Sequence, residues 1–221
     1  GAVFQTHTGS EIFIHLLARY AHLGLAEAVL TMMKDLHGSY CLIVMTPNAL
    51  IGVRDPFGYR PLVLGKKDSM YVLASESVAL DAIGAELVRD VMPGEAIIIN
   101  KNGITSLTNN VATPRPAGLC LFEYVYLARP DSIIDGISVS NSRIRAGRAL
   151  AKVAPVEADM VAGVPNSALA AAIGYSQGSG IPYGDALVMN RYVGRTFIQA
   201  DQNTRELSVK MKLNPLAANI E

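Results

Sequence analysis

The chain has 221 residues, half of them hydrophobic, and its 19 basic and 19 acidic side chains cancel. That balance describes a folded protein and argues against a disordered chain or a generic binder of polyanions such as nucleic acid. No apolar run reaches the roughly 20 residues of a membrane-spanning helix, and no basic leader precedes an apolar core and cleavage site, so a cytoplasmic protein without membrane attachment is expected.

The first half reads as helices followed by an antiparallel meander. In LAEAVLTMMKDLHG, residues Leu25, Val29, Met32, Met33 and Leu36 share one helical face, with Gly38 as terminator. SYCLIVM is a short apolar run suited to a buried strand. Pro47 and Asn48 turn it into ALIGVRD as a hairpin. RPLVLG, the polar turn KKDS and MYVLAS make a second hairpin. ESVALDAIGA is a short helix, and EAIIIN, KNG and ITSL make a third hairpin. Hairpins layered with helices give an α+β class.

The polar stretch TNNVATPRPAG, Thr108 to Gly118, reads as a linker. Beyond it the grammar changes. ISVSNSRIRAGRALAKVA forms a basic amphipathic helix, DMVAGVP a strand, SALAAAIGYSQGSG a helix and GDALVMN another strand. Strand, helix and strand in that order predict an α/β unit with a parallel sheet. The turn between Val164 and the alanine-rich helix carries Asn166 and Ser167. These residues either cap the helix or hold an anion at its N-terminus.

The two cysteines, Cys41 and Cys120, are too few and too far apart for a disulfide framework. Cys41 lies inside an apolar strand and reads as a small hydrophobe rather than a nucleophile. His7, His15, His22 and His37 lack acidic or thiol partners at metal-ligand spacing.

Several long stretches, in order, resemble the glutamine phosphoribosylpyrophosphate amidotransferase family. They are GVRDPFGYRPLVLG, LASESVALD, VRDVMPGE, CLFEYVYLARPDSIIDG, NRYVGRTFIQ and SVKMKLNPL. The resemblance implies two chemistries. A layered glutaminase of the N-terminal nucleophile type releases ammonia from glutamine with its first residue, a cysteine. A type I phosphoribosyltransferase domain with a parallel sheet delivers that ammonia to C1 of phosphoribosyl pyrophosphate (PRPP), expelling pyrophosphate in the first step of purine synthesis. On this resemblance residues 1–117 are the C-terminal portion of the glutaminase and 118–221 the N-terminal portion of the transferase.

The same resemblance implies site residues. VPNSA corresponds to the pyrophosphate-cradling loop, so Asn166, Ser167 and Ala168 would bind PRPP, with the Ser167 hydroxyl beside Mg²⁺. The family's motif there is often Asp-Ser-Gly. Met189–Lys212 corresponds to a mobile basic loop that closes over PRPP, with Arg191, Arg195 and Lys212 as contacts; Met189 stands where lysine is usual. Gly9 replaces an aspartate that binds the amino group of glutamine. Cys120 corresponds to one ligand of a [4Fe–4S] cluster found in part of the family. A buried structural thiol is the alternative. The resemblance places no catalytic residue in the chain: the glutaminase nucleophile would precede Gly1 and the transferase's ribose-loop aspartates would follow Glu221, so neither active site is complete and residues 1–221 alone are expected to be inactive. Purine nucleotides as feedback inhibitors and a homo-oligomer at full length complete these expectations. A non-catalytic homologue that binds nucleotides or a partner surface is the competing reading, and a salvage-type phosphoribosyltransferase is a further one.

Overall fold

The computed structural model describes residues 3–108, 118–194 and 201–220. The chain divides into two compact units. One comprises residues 1–123 with 133–136, the other 124–132 with 137–221. Residues 109–117 of the expected linker lie outside the described residues.

The first unit is layered. Helices α1 (Glu11–Tyr20) and α2 (Leu25–Asp35) are followed by strands β1 (Cys41–Thr46) and β2 (Ala49–Arg54), then β3 (Val63–Lys67) and β4 (Met70–Ala74). Helix α3 (Ser77–Ile83), β5 (Glu86–Asp90), β6 (Glu95–Asn100) and β7 (Gly103–Thr108) complete it. One antiparallel sheet has the order β1-β2-β6-β7 and the other β4-β3-β5. The three expected hairpins are present, with Thr46 opposite Ala49, Lys67 opposite Met70 and Asn100 opposite Gly103.

Alternation explains the layers. Ile51 and Val53 of β2 and Ala96 and Ile98 of β6 pack against Val29, Met32 and Met33 of α2. Ile97 of β6 points the other way and meets Leu62, Leu64, Leu73 and Val91. The central AIII of EAIIIN is apolar throughout because both of its faces are covered. On the far side of β3, Val63 packs against Leu80 of α3 and Ala85.

The motif GVRDPFGYRPL is built into this core. Arg54 is fully buried, and its Nε donates to the Arg60 carbonyl at 2.8 Å. Nη1 donates to Val91 O at 2.7 Å and Nη2 to Gly58 O at 3.1 Å, and both also reach Asp135. Asp55, equally buried, accepts from the amides of Phe57 (2.9 Å) and Tyr59 (3.1 Å), which orders the loop after β2.

In the second unit α4 (Val139–Val153) buries Val139, Arg143, Gly147 and Ala151 along one stripe, and its Ser138 N-cap accepts from Asn141 N at 3.3 Å. Its partner α5 (Leu169–Ser179) buries Ala172 and Gly174. The backbones touch: a Cβ added at Gly147 would lie 1.9 Å from Ala171 O, and one at Gly174 would lie 2.0 Å from Ile144 O.

The expected parallel sheet is not formed among the described residues. Val161 makes one isolated parallel bridge to Tyr183, through Val161 N to Pro182 O (2.8 Å) and Gly184 N to Val161 O (3.0 Å). Pro182 has no N–H to donate to the preceding rung. After Gly184 the chain leaves, and Leu187–Met189 pairs antiparallel with Leu213–Pro215 instead. The expected loop over Met189–Lys212 is also replaced in its second half, by helix α6 (Gln202–Lys212). Asp201 caps that helix, accepting from Thr204 N at 2.8 Å and from the Thr204 hydroxyl at 2.6 Å. No helix among the described residues is long and apolar enough to cross a membrane.

Candidate functional site

The turn from Val164 into α5 faces a cavity of about 720 Å³ in the second unit. Asn166 and Ser167 line it from the turn, Leu169, Ala170 and Ile173 from α5, and Ser140, Arg143 and Ile144 from α4. Arg129, Pro130 and Asp131 complete the wall. The turn closes on itself through Ala168 N to Val164 O (3.3 Å) and Leu169 N to Asn166 O (3.4 Å). Helix α5 has no side-chain cap: Ala168 is its N-cap, and Asn166 reaches the first turn only through its backbone carbonyl. Asn166 is exposed and Ser167 partly so. The helix N-terminus, with its partial positive charge, thus lies beside an open hollow.

Two arginines mark the cavity. Arg143 is 5% exposed, and it donates through Nε to Tyr124 O (2.6 Å) and through Nη2 to Ala128 O (2.7 Å). Arg129 is two-thirds exposed and grips Asp131 at two points, Nε to Oδ1 at 3.0 Å and Nη2 to Oδ2 at 2.8 Å. The Arg129 guanidinium holds the Asp131 carboxyl below the usual aspartate range. One side of the hollow is therefore cationic and polar, the other aliphatic.

Asn166 and Ser167 are the expected site residues that the structure gathers at this cavity. Ala168 serves as the N-cap and is not part of the lining. Arg191 lies exposed on the turn after Met189 and is also outside the lining. Lys212, at the end of α6, donates to Gly194 O at 3.0 Å and does not line the cavity. Arg195 lies outside the described residues. Sequence reading missed Arg129, Asp131, Ser140 and Arg143. The signal for Arg143 was available: it is the one charge on a stripe of small and apolar residues spaced four apart, Val139, Gly147 and Ala151.

In the first unit a cavity of about 440 Å³ is lined by Cys41, Ile43, Arg60, Pro61, Leu62, Ser75, Glu76 and Glu123. Buried Glu123 accepts from Arg60 Nη1 at 2.5 Å. The Cys41 thiol donates to Pro61 O at 3.4 Å, and burial pushes it up to about 11, the wrong direction for a nucleophile. Cys120 is half-buried, and its amide donates to Tyr59 O at 3.1 Å. A [4Fe–4S] cluster needs four thiolates. The chain holds two cysteines, and no group of three or more His, Cys, Asp or Glu residues that could hold a metal occurs among the described residues. These residues alone do not fit a cluster.

Gly9 lies on an exposed turn before α1, and a Cβ there would meet nothing within 4 Å. Glu11 holds that turn, accepting from Gln5 N (2.7 Å), Thr6 N (2.8 Å) and the Thr6 hydroxyl (2.6 Å). The Thr6 hydroxyl, the Gln5 amide and further donors bring its carboxyl down to about 2.

Comparison with known proteins gives a consistent answer. A family model described as glutamine amidotransferase domain matches residues 1–82. An amidophosphoribosyltransferase of Mycobacterium tuberculosis is 51% identical over 95% of this chain and 39% of its own length. One from Archaeoglobus fulgidus is 46% identical over 100% of this chain and 48% of its own. Among solved structures, the glutamine PRPP amidotransferase of B. subtilis complexed with ADP and GMP matches with a TM-score of 0.89 at 44% identity, over 100% of this chain and 48% of that one. The chain thus spans about half the length of the relatives it matches.

Proposed function

This chain is homologous along its length to the amidophosphoribosyltransferases, and from that premise we propose that it takes part in the same glutamine-dependent conversion of PRPP to phosphoribosylamine, in the first step of purine synthesis. The first unit contributes to the ammonia-producing glutaminase. The second contributes part of the phosphoribosyltransferase, including its pyrophosphate-binding turn.

The observation that carries the second assignment is the Asn166–Ser167 turn, which opens onto the large cavity rather than capping α5. Phosphate oxygens suit that place because the helix amides and Arg143 offer positive potential at the cavity wall. Leu169, Ala170 and Ile173 would cover the less polar side of the sugar. When ammonia bonds to C1, the C1–O bond breaks and its electron pair leaves with pyrophosphate, so groups that stabilise the departing charge speed the step. Mg²⁺ would supply part of that stabilisation. Ser167 offers it a hydroxyl, and no wholly protein-made cage is needed. Arg191, Arg195 and Lys212 are proposed to reach the ligand from the following segment.

Purine nucleotides are proposed as regulators, and a homo-oligomer in the cytoplasm as the natural state. A non-catalytic binding homologue is the second reading. Gly9 favours it, because the position where the resemblance places a substrate-binding aspartate has no side chain.

The test is a PRPP-dependent pyrophosphate-release assay on the protein at its natural length, with glutamine and with ammonia. Turnover is expected with either, and Ser167→Ala should raise KM for PRPP roughly tenfold, the weight of a hydrogen bond to a charged group, with glutamine hydrolysis nearly unchanged. PRPP binding without turnover from either nitrogen donor supports the second reading. An unchanged KM in the Ser167 variant removes the turn from the site.

A further inference from the structure

Arg129 and Asp131 stand two residues apart on the rim of the cavity, and their backbone is fixed. Ser132 N bonds Arg129 O at 3.1 Å, Val139 N bonds Ser132 O at 3.0 Å, and Ser140 N bonds Pro130 O at 3.0 Å, so the turn is stitched to the start of α4. The guanidinium already makes the two-point contact with paired oxygens that it makes with phosphate. Arg143 differs from it. It is buried, and it donates to two backbone carbonyls, those of Tyr124 and Ala128.

Resting on the reading of this cavity as an anion site, we infer that Asp131 is an internal competitor for the ligand: its carboxylate occupies the Arg129 guanidinium, which a phosphate group takes over when it binds. Binding then requires an exchange of partners at Arg129. Asp131 sets affinity in two ways. Its negative charge repels the incoming anion, and its ion pair has to be broken. Affinity for highly charged ligands stays moderate as a result, which favours release of the pyrophosphate product.

The test is calorimetric titration of the protein at its natural length with inorganic pyrophosphate, at low and at physiological salt. Asp131→Asn should tighten binding about threefold or more, the scale of an exposed ion pair, and Arg129→Gln should weaken it. Introduced on top of Arg129→Gln, Asp131→Asn should give less than half of its original gain, because no guanidinium remains to be released. No gain from Asp131→Asn in the parent overturns the inference. So does an equal gain in both backgrounds, which would reduce Asp131 to a repulsive charge. Ser167→Ala separates this failure from that of the underlying reading. If the parent binds pyrophosphate and Ser167→Ala binds it no more weakly, the cavity is not the site, and the reading and this inference fall together.

Discussion

Arg54 and Asp135, 81 residues apart in sequence, form a two-point ion pair with Nη1–Oδ1 at 2.9 Å and Nη2–Oδ2 at 3.0 Å. Arg54 is completely buried and Asp135 about one-third exposed. The pair brings residues 133–136 into the first unit, together with the Ile133 amide on Ser77 Oγ (2.9 Å) and the Asp135 amide on Asp90 Oδ1 (3.1 Å). Breaking a buried pair from one side leaves an uncompensated charge, at a cost of about 3–5 kcal/mol when both partners are buried. Solvent at Asp135 reduces that. Asp135→Asn should therefore lose about 1–3 kcal/mol, and Arg54→Ala more, because it also strips donors from three carbonyls. Urea unfolding followed by circular dichroism measures both. Losses below about 0.5 kcal/mol for Arg54→Ala would show the network to be idle.

Two neighbouring carboxyls predict opposite acid responses. Burial alone would raise Glu95, but the Arg89 guanidinium, the Ser106 hydroxyl and the Met92 amide outweigh it and hold its pKa below the ordinary 4.5. Its stabilising contribution is complete above about pH 4.5 and is lost as pH falls through the lower folded value. Asp90 is raised above 3.8, chiefly by burial. The folded state then binds the extra proton, so this group costs stability at neutral pH, and that cost disappears as pH falls through its folded value. The stability gap between the parent and Glu95→Gln should shrink on acidification. Asp90→Asn should gain on its parent as pH rises from 3.8 toward 7. Gaps that stay flat from pH 7 to 3 count against both assignments.

The contact between α4 and α5 leaves no room for a methyl group. Alanine for glycine inside a helix ordinarily gains about 1 kcal/mol. At Gly147 and Gly174 the added carbon would stand within about 2 Å of a backbone oxygen, so the helices must separate. Each substitution should lose about 1–3 kcal/mol or more. Gly178, whose nearest neighbours would be at 3.1 Å, should lose less. Thermal melts of the three variants give the order, and a stabilised Gly147→Ala would contradict the close packing.

The first unit was legible because its signals are local. Turn residues sit between apolar runs at β1–β2, β3–β4 and β6–β7, and the α2 stripe faces one way. Strand β5, with sequence ELVRD, was missed because it is a mostly exposed edge, where charge replaces alternation. Helix α6 was hidden by its basic content, although Asp201 ahead of Thr204 is an N-cap signal. The parallel sheet was inferred from element order, which says nothing of whether a donor such as the absent N–H of Pro182 is available. At the cavity, the turn was readable as strand into helix. Arg129 and Asp131 were not, since only the fold brings them to the same hollow.

Cys41 should be chemically quiet. Its thiol is pushed up to about 11 from an ordinary 9.0, chiefly by burial, so its thiolate fraction at neutral pH falls about a hundredfold. Iodoacetamide at pH 7 should label Cys120 first, and Cys41→Ala should leave glutamine hydrolysis by the protein at its natural length within about twofold of the parent. Loss of hydrolysis in a variant that still folds would make Cys41 the nucleophile after all.

Gly9 gives the most direct test of the proposed glutamine site. Its Cβ position is open and its backbone lies outside the left-handed region, so an aspartate fits without strain. Stability should change by no more than about 0.5 kcal/mol, as for most surface substitutions. The turn itself will persist, because Glu11 anchors it through Gln5 and Thr6 and stays ionised down to about pH 2. If this position faces the amino group of glutamine, Gly9→Asp adds a charged hydrogen bond of about 1.5–3 kcal/mol, which lowers KM for glutamine roughly tenfold or more. PRPP binding and ammonia-dependent turnover should not move, because neither uses that contact. A variant with unchanged KM for glutamine, measured at the protein's natural length, would place the amino group elsewhere and leave Gly9 as a surface turn.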